Sequence, residues 1–326
     1  MRILLSSNHH YPSFKKQGSA KEITEFPSGS SHHQHDLLAR GLAEKGHTVF
    51  YHVNFEESTT SDPGVILVKE PVEDVDIVHV SAIINRFLCN HYRGTGIPVI
   101  ATNHLYHPEC DAEFTKIHVS KSIADLYNDE HHVWCGLDPN DYIYRKEKAG
   151  FILFMADMSR YEGKGLQTAL SLCKKANKRL IVAGSSRDLA DIRKVERMCD
   201  AYGAMYVGDV RGEQKAKLLA GANAFLSPSN YIETFGITLV EALFSGTPVI
   251  CSNKGAYGEV ISKDVGFVCN SEADYLEALE YCDRINPEIC RTYALNHFHY
   301  KKTAENYEKI YTEILEKREQ ESSINY

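Results

Sequence analysis

Short runs of consecutive apolar residues alternate along this chain with longer stretches whose apolar positions recur every third or fourth residue. A short apolar run bounded by turn residues marks a strand buried on both faces, and the three-and-four spacing marks an amphipathic helix. In the first half, strands are predicted at 2–6, 47–53, 76–80, 98–102 and 117–120, with a helix over 32–45 that ends at Gly46 and another after Ser120. In the second half, strands are predicted at 151–156, 179–184, 205–208, 224–227, from Val249, and at 266–268. Helices are predicted from Leu166, over 215–220, from Ile237, and from Pro287 to about residue 320. Such alternation builds parallel sheets covered by helices, because a parallel connection must cross back over its sheet. A chain of 326 residues is long enough for two of them with separate cores, and the polar run 140–148 reads as a linker. The expectation is an α/β protein of two domains.

The densest chemistry lies at 228–250, PSNYIETFGITLVEALFSGTPVI. Glu233 and Glu241 stand eight residues apart, a little over two helical turns, so on a continuous helix they would share a face. The stretch is not helical throughout. Pro228, Ser229 and Asn230 are turn residues, and Gly236 breaks the pattern and opens a helix that Gly246 and Pro248 close. Glu233 therefore belongs to a loop before a helix N-terminus and Glu241 to the helix itself. The unpaired N–H groups of Gly236, Ile237 and Thr238 at that N-terminus suit an anion such as a phosphate. Carboxylates beside it suit the hydroxyls of a sugar or ribose, whose protons they accept.

In order and spacing, Pro228-Ser229, Glu233, Phe235-Gly236, Glu241-Ala242 and Gly246-Thr247-Pro248-Val249-Ile250 resemble the signature of retaining glycosyltransferases of the GT-B fold, in particular glycosyltransferase family 4. The gap before Glu233 is one residue longer than the commonest form. Other segments extend the resemblance. Gly29-Ser30 stands for a glycine pair before the first helix, and Thr102-Asn103-His104 for a strand ending in Thr-x-His. Cys135-Gly136-Leu137-Asp138 is similar to an Asn-Gly-Val-Asp turn, Lys164-Gly165 to Lys-Gly, and 255–259 to a glycine-rich turn ending in Glu. One departure stands out: Ala156-Asp157 occupies the place of Gly-Arg, with Arg160 three residues later.

The resemblance implies two Rossmann-like domains facing across a cleft. Residues 1–145 would bind the acceptor, 146–305 the nucleotide sugar, and 306–326 would form a helix packing back toward the first domain. It implies that His104 lies near the anomeric carbon and that Glu233 and the amides of Gly236, Ile237 and Thr238 hold sugar and diphosphate. Glu241 would take the ribose, with Phe235, Gly29 and Ser30 near the donor and Arg211 a candidate beside the base. Arg160 and Lys164 would stabilise the leaving diphosphate, so that neither metal nor cofactor is required beyond the nucleotide sugar, most readily a UDP- or GDP-sugar.

Composition narrows the remaining classes. The net charge of −8 gives no basic field for nucleic acid. No apolar run is long enough to span a bilayer, and the apolar start of the chain is too short for a leader. Nine scattered cysteines without a Cys-x-x-Cys pair suggest reduced, buried thiols and a cytoplasmic protein. His32, His33 and His35 lack further ligands at metal-site spacing and read as exposed or substrate-facing; His9, His10 and His107 carry weaker claims to a pocket. The resemblance implies a carbohydrate, lipid-linked or small-molecule acceptor. Lys15, Lys16 and Lys21 either face an anionic acceptor or a membrane surface or are simply solvated, the last being favoured. Two other readings keep the fold: a non-catalytic nucleotide-sugar-binding protein, and a changed reaction such as epimerisation or phosphorolysis.

Overall fold

The computed structural model describes residues 1–6, 11, 13, 30–53, 62–81, 86–104 and 114–324. They form two compact units, one running to Asp138 and resuming at Phe298, the other spanning Pro139–His297. Gly29, His9, His10, His107 and the lysines at 15, 16 and 21 lie outside the described residues.

The first unit runs β1 (Arg2–Ser6), α1 (Ser30–Glu44), β2 (Thr48–His52), β3 (Val65–Val68), β4 (Ile77–Val80), α2 (Arg86–Tyr92), β5 (Val99–Asn103), β6 (Thr115–His118), α3 (Lys121–Tyr127) and β7 (His131–His132). Among the described residues its sheet is seven-stranded, in the order β3-β2-β1-β4-β5-β6-β7, with every pairing parallel. The second unit runs β8 (Ile152–Met155), α4 (Leu166–Lys175), β9 (Leu180–Ala183), α5 (Leu189–Tyr202), β10 (Met205–Tyr206), α6 (Gly212–Gly221), β11 (Ala224–Ser227), α7 (Ile237–Phe244), β12 (Val249–Ser252), α8 (Tyr257–Val260), β13 (Gly266–Cys269), α9 (Glu272–Tyr281) and α10 (Pro287–Phe298). Its sheet order is β10-β9-β8-β11-β12-β13, again all parallel. The final helix, α11 (Tyr300–Ile324), returns to the first unit and packs along α1.

Strand pleating explains the two-sided core of the first unit. Along β1, Ile3 and Leu5 join the cluster that includes Leu38, Leu42, Ile77, Ile100 and Tyr311, whereas Leu4 joins Phe50, Val78, Leu88 and Tyr92 on the other face. In the second unit Ile152, Phe154, Leu170, Val182, Leu226 and Ile250 share one cluster. The eight described cysteines are all buried and free. No described helix is long and apolar enough to cross a membrane.

A polar latch runs through the first core. The two ring nitrogens of His79 on β4 bond to Tyr311 OH and to Thr102 Oγ1 on β5, each at 2.6 Å. Thr102 Oγ1 in turn meets Tyr307 OH at 2.7 Å. Both tyrosines come from α11, so the last helix is tied to two central strands. His35 stacks edge-on against His79 at 5.0 Å and is 2% exposed, and His33 is 9% exposed. These two histidines are buried rather than exposed, and His35 packs against the His79 ring that Tyr311 of α11 holds.

Burial pushes the His79 pKa down to about 3, with His104 adding to the effect. An unfolded chain takes up that proton below about pH 6.5, while the folded chain stays neutral. Stability contributed by the neutral ring is therefore complete above pH 6.5 and is lost as pH falls toward 3, by up to about 1.4 kcal/mol per pH unit. The urea midpoint of the wild type should fall more steeply between pH 6.5 and 4 than that of His79→Gln. Equal slopes would mean that His79 is already protonated in the fold.

Candidate active site of the second unit

In the second sheet β8 is the strand at which the order reverses: β9 and β10 continue on one side, β11 to β13 on the other. Such a switch point opens a crevice outside the carboxyl ends of the two central strands. Two loops rim it. The loop after β8 leads through a turn of 3-10 helix, Met158–Arg160, to Lys164 and α4. The loop after β11 carries Ser229, Tyr231 and Glu233 into α7.

The loops are joined by one ion pair. Lys164 Nζ donates to both oxygens of Glu233, at 2.8 and 2.9 Å, with side-chain exposures of 22% and 11%. Ser229 Oγ donates to the same carboxylate. Tyr257, opening α8, bonds through its hydroxyl to Ser227 Oγ at 2.9 Å. Burial first, and then the Glu233 charge, raise the Tyr257 pKa well above 10, so the phenol stays protonated beside the carboxylate.

Backbone geometry shapes the same place. Gly236 has φ of +101°, a left-handed conformation that a side chain resists, and it precedes α7 without side-chain capping. Gly165 likewise precedes α4 uncapped. Gly236, Ile237 and Thr238 are half-buried, so the α7 N-terminus is open to an anion, whereas Phe235 is buried beneath the loop.

Glu241, one turn into α7, is 6% exposed. Its Oε1 accepts from Lys215 Nζ on α6 at 2.7 Å and from Tyr142 OH at 3.1 Å. Ser229 and Tyr257 entered the sequence reading only as motif positions without a role, and Lys215 and Tyr142 were given no part in the site. Tyr257 lies inside the glycine-rich turn at 255–259, which was a signal for it. Lys215 and Tyr142 arrive from distant elements and had none.

The other expected residues are placed less centrally. Arg160 is 59% exposed and its Nε lies 3.6 Å from Asp157, while Asp157 caps the 3-10 turn by accepting from Ser159 N–H. Asp157 thus has a local folding role at the position where the resemblance expects arginine. Arg211 precedes α6 and pairs with Asp209 at 2.8 Å, 57% exposed. Ser30 opens α1. His104 belongs to the first unit, just past β5, where with Gln34, His35, Thr102 and Trp134 it lines a small cavity. Burial pushes its pKa down to about 4, and His32 adds to the effect. Among the described residues no three His, Cys, Asp or Glu side chains gather as a metal site. The Asp-x-Asp triplet Asp74-Val75-Asp76 is bound instead to Arg2, through its backbone N–H at 2.7 Å and its guanidinium at 3.1 Å, at the amino end of β1.

Residues 142–294, which hold the whole second-unit constellation, match the family model of glycosyl transferases group 1. That segment of the chain is similar to the group 1 glycosyl transferases. A glycosyltransferase from Methanocaldococcus jannaschii, itself uncharacterized, is 32% identical over 120 residues, which make up 35% of this chain and 30% of that protein. The O-antigen chain mannosyltransferase B of Escherichia coli is 32% identical over 142 residues, 41% of this chain and 37% of that protein. The chain thus spans about a third of the length of these two relatives. The crystal structure of AviGT4, a glycosyltransferase involved in avilamycin A biosynthesis, matches with a TM-score of 0.72 over 96% of this chain and 98% of that one, at 22% identity. The fold is that of the GT-B glycosyltransferases, with a Rossmann-like sheet in each unit.

In this segment, Lys164→Ala leaves the nearly buried Glu233 carboxylate without its cation. That should cost about 1–3 kcal/mol, part of which Glu233→Gln restores in the double variant. A double-mutant cycle read by chemical denaturation should give a coupling above about 1 kcal/mol. A coupling near zero would show that the pair does not form in solution.

Proposed function

We propose that the chain transfers a sugar from a nucleotide-diphosphate sugar, of the UDP or GDP type, to an acceptor hydroxyl with retention at the anomeric carbon. The observation that carries this reading is the Lys164–Glu233 pair at the switch point, set beside the open N-terminus of α7. A diphosphate brings the charge that an ammonium and helix amides are suited to bind. A sugar brings hydroxyl donors for Glu233, and a ribose brings donors for Glu241, whose carboxylate has acceptor capacity beyond Lys215 and Tyr142.

In the proposed reaction the bond between the anomeric carbon and the β-phosphate oxygen breaks, and its electron pair leaves with the phosphate. The acceptor oxygen bonds to the same face of that carbon, and its proton passes to the departing phosphate oxygen. Lys164 and the amides of Gly236, Ile237 and Thr238 offset the charge that develops on the leaving group. A well-placed donor in a water-poor site contributes about 3 kcal/mol to such a step. Arg160, exposed on the same loop, adds a second cation on turning from Asp157 to the phosphate. With that charge supplied by side chains and backbone, no metal is required. The first unit provides the acceptor subsite for a carbohydrate, lipid-linked or small-molecule hydroxyl, with neutral His104 facing the ligand.

The Asp157–Arg160 pairing favours a second reading, a binder of nucleotide sugars without transfer. Calorimetry and thermal shift with UDP, GDP, ADP and dTDP and their sugars separate the two when joined to an assay of nucleotide release without acceptor. Under the transferase reading one nucleotide class binds at micromolar strength and raises the melting temperature. Lys164→Ala should weaken it at least tenfold, Arg160→Ala less, and slow donor hydrolysis should persist in a chelator. Tight binding with no release supports the binder. Absence of binding across the panel rules out both.

A further inference from the structure

The loop that holds Glu233 also presents an aromatic ring that the proposed chemistry leaves unused. Tyr231 is 41% exposed and Ile232 42%, while Ser229 and Glu233 on either side are buried. The ring is nevertheless held in place. A Cβ added at Gly163 would fall 2.1 Å from its Cζ and 2.4 Å from its Cε2 and Oη, so the end of the ring lies directly on the Gly163 backbone. Asn230 N–H donates to the Gly163 carbonyl at 2.8 Å, and Tyr231 N–H donates to Ser229 Oγ at 3.2 Å. Lys164 Nζ sits 5.8 Å from the ring centroid.

An exposed ring gains little from burial, yet holding it in one position costs side-chain entropy on folding. The same fixation lowers the ordering cost when a ligand arrives. What surrounds the ring narrows the ligand. Tyr231 and Ile232 are the exposed apolar side chains of this loop, and Lys164, 5.8 Å from the ring centroid, links the ring to the Glu233 carboxylate that Lys164 and Ser229 fix. A pyranose has that dual character, with apolar C–H faces and a rim of hydroxyl donors. A bare diphosphate has neither.

We infer that Tyr231 is the platform on which the sugar ring of the donor stacks, while Glu233 holds its hydroxyls. Tyr231 then makes the site distinguish a nucleotide sugar from the nucleotide alone. This deepens, and rests on, the reading of the Lys164–Glu233 site as a nucleotide-sugar site.

The test compares each nucleoside diphosphate with its sugar by calorimetry: UDP with UDP-glucose, GDP with GDP-mannose, and ADP with ADP-glucose. The proteins are wild type, Tyr231→Ala and Tyr231→Phe. Because the ring is exposed, Tyr231→Ala should keep the melting temperature of the unliganded protein. It should bind the bare diphosphate as the wild type does and lose about tenfold in affinity for the matching nucleotide sugar, with Tyr231→Phe retaining that affinity. Equal loss for diphosphate and nucleotide sugar would assign the ring to the nucleotide, and no loss for either would assign it no ligand. Both results overturn the platform while leaving the nucleotide site intact. A wild type that binds none of the probes overturns the platform and the nucleotide site together.

Discussion

An ammonium held against a nearly buried carboxylate is the interaction around which the second unit's functional loops are organised. Lys164 and Glu233 lie 69 residues apart in sequence and on different sides of the sheet's reversal, so their pairing closes the two loops over the ends of β8 and β11. Taking both charges out of water is costly unless every remaining polar site is filled. Ser229 donates to the carboxylate as well, and the left-handed Gly236 sets the start of α7 just beyond it. Remove the pair and the loops lose their only described charge link across the switch point.

The pair also sets a condition on binding. Four cations near the strand ends already have an acid: Lys164 has Glu233, Lys215 has Glu241, Arg211 has Asp209 and Arg160 has Asp157. An arriving diphosphate therefore shares or displaces carboxylates rather than meeting bare cations. The pairs differ in how readily they yield. Those of Arg160 and Arg211 are exposed and weak, and those of Lys164 and Lys215 are shielded and geometrically tight. A site of this kind loses little by waiting empty, since no isolated buried charge needs to be tolerated. It gains selectivity, because a ligand must bring both an anion for the ammonium and hydroxyls for the carboxylate.

Much of the architecture was legible because period and punctuation are local. The strands at 2–6 and 224–227 and the starts of α4 and α7 follow directly from apolar runs and flanking glycines. Helix α5 is absent from the sequence reading, although Leu189, Ile192, Val195, Cys199 and Tyr202 repeat at helical spacing, and the edge strand β3 is too short and half-exposed to declare itself. Glu233, Lys164 and the Gly236 N-terminus were found by motif, and the structure brings them together. Their supports were not, because Lys215 and Tyr142 reach Glu241 from far along the chain. The burial of His33 and His35 was not legible either: His35 packs against His79, which Tyr311 of α11 holds, and an approach from so far along the chain leaves no local trace.

The most direct test of the Lys164–Glu233 site observes the Lys164 ammonium itself. Reductive methylation with 13C-formaldehyde gives each lysine a dimethylamino signal without removing its charge, and Lys164→Arg identifies the one that matters. Titration with the nucleotide sugar that binds should move the Lys164 signal in step with saturation, as its partner changes from Glu233 alone to carboxylate and phosphate together. A Lys164 signal that stays still while the nucleotide sugar saturates the protein would place the donor elsewhere and leave the ion pair a purely structural clamp.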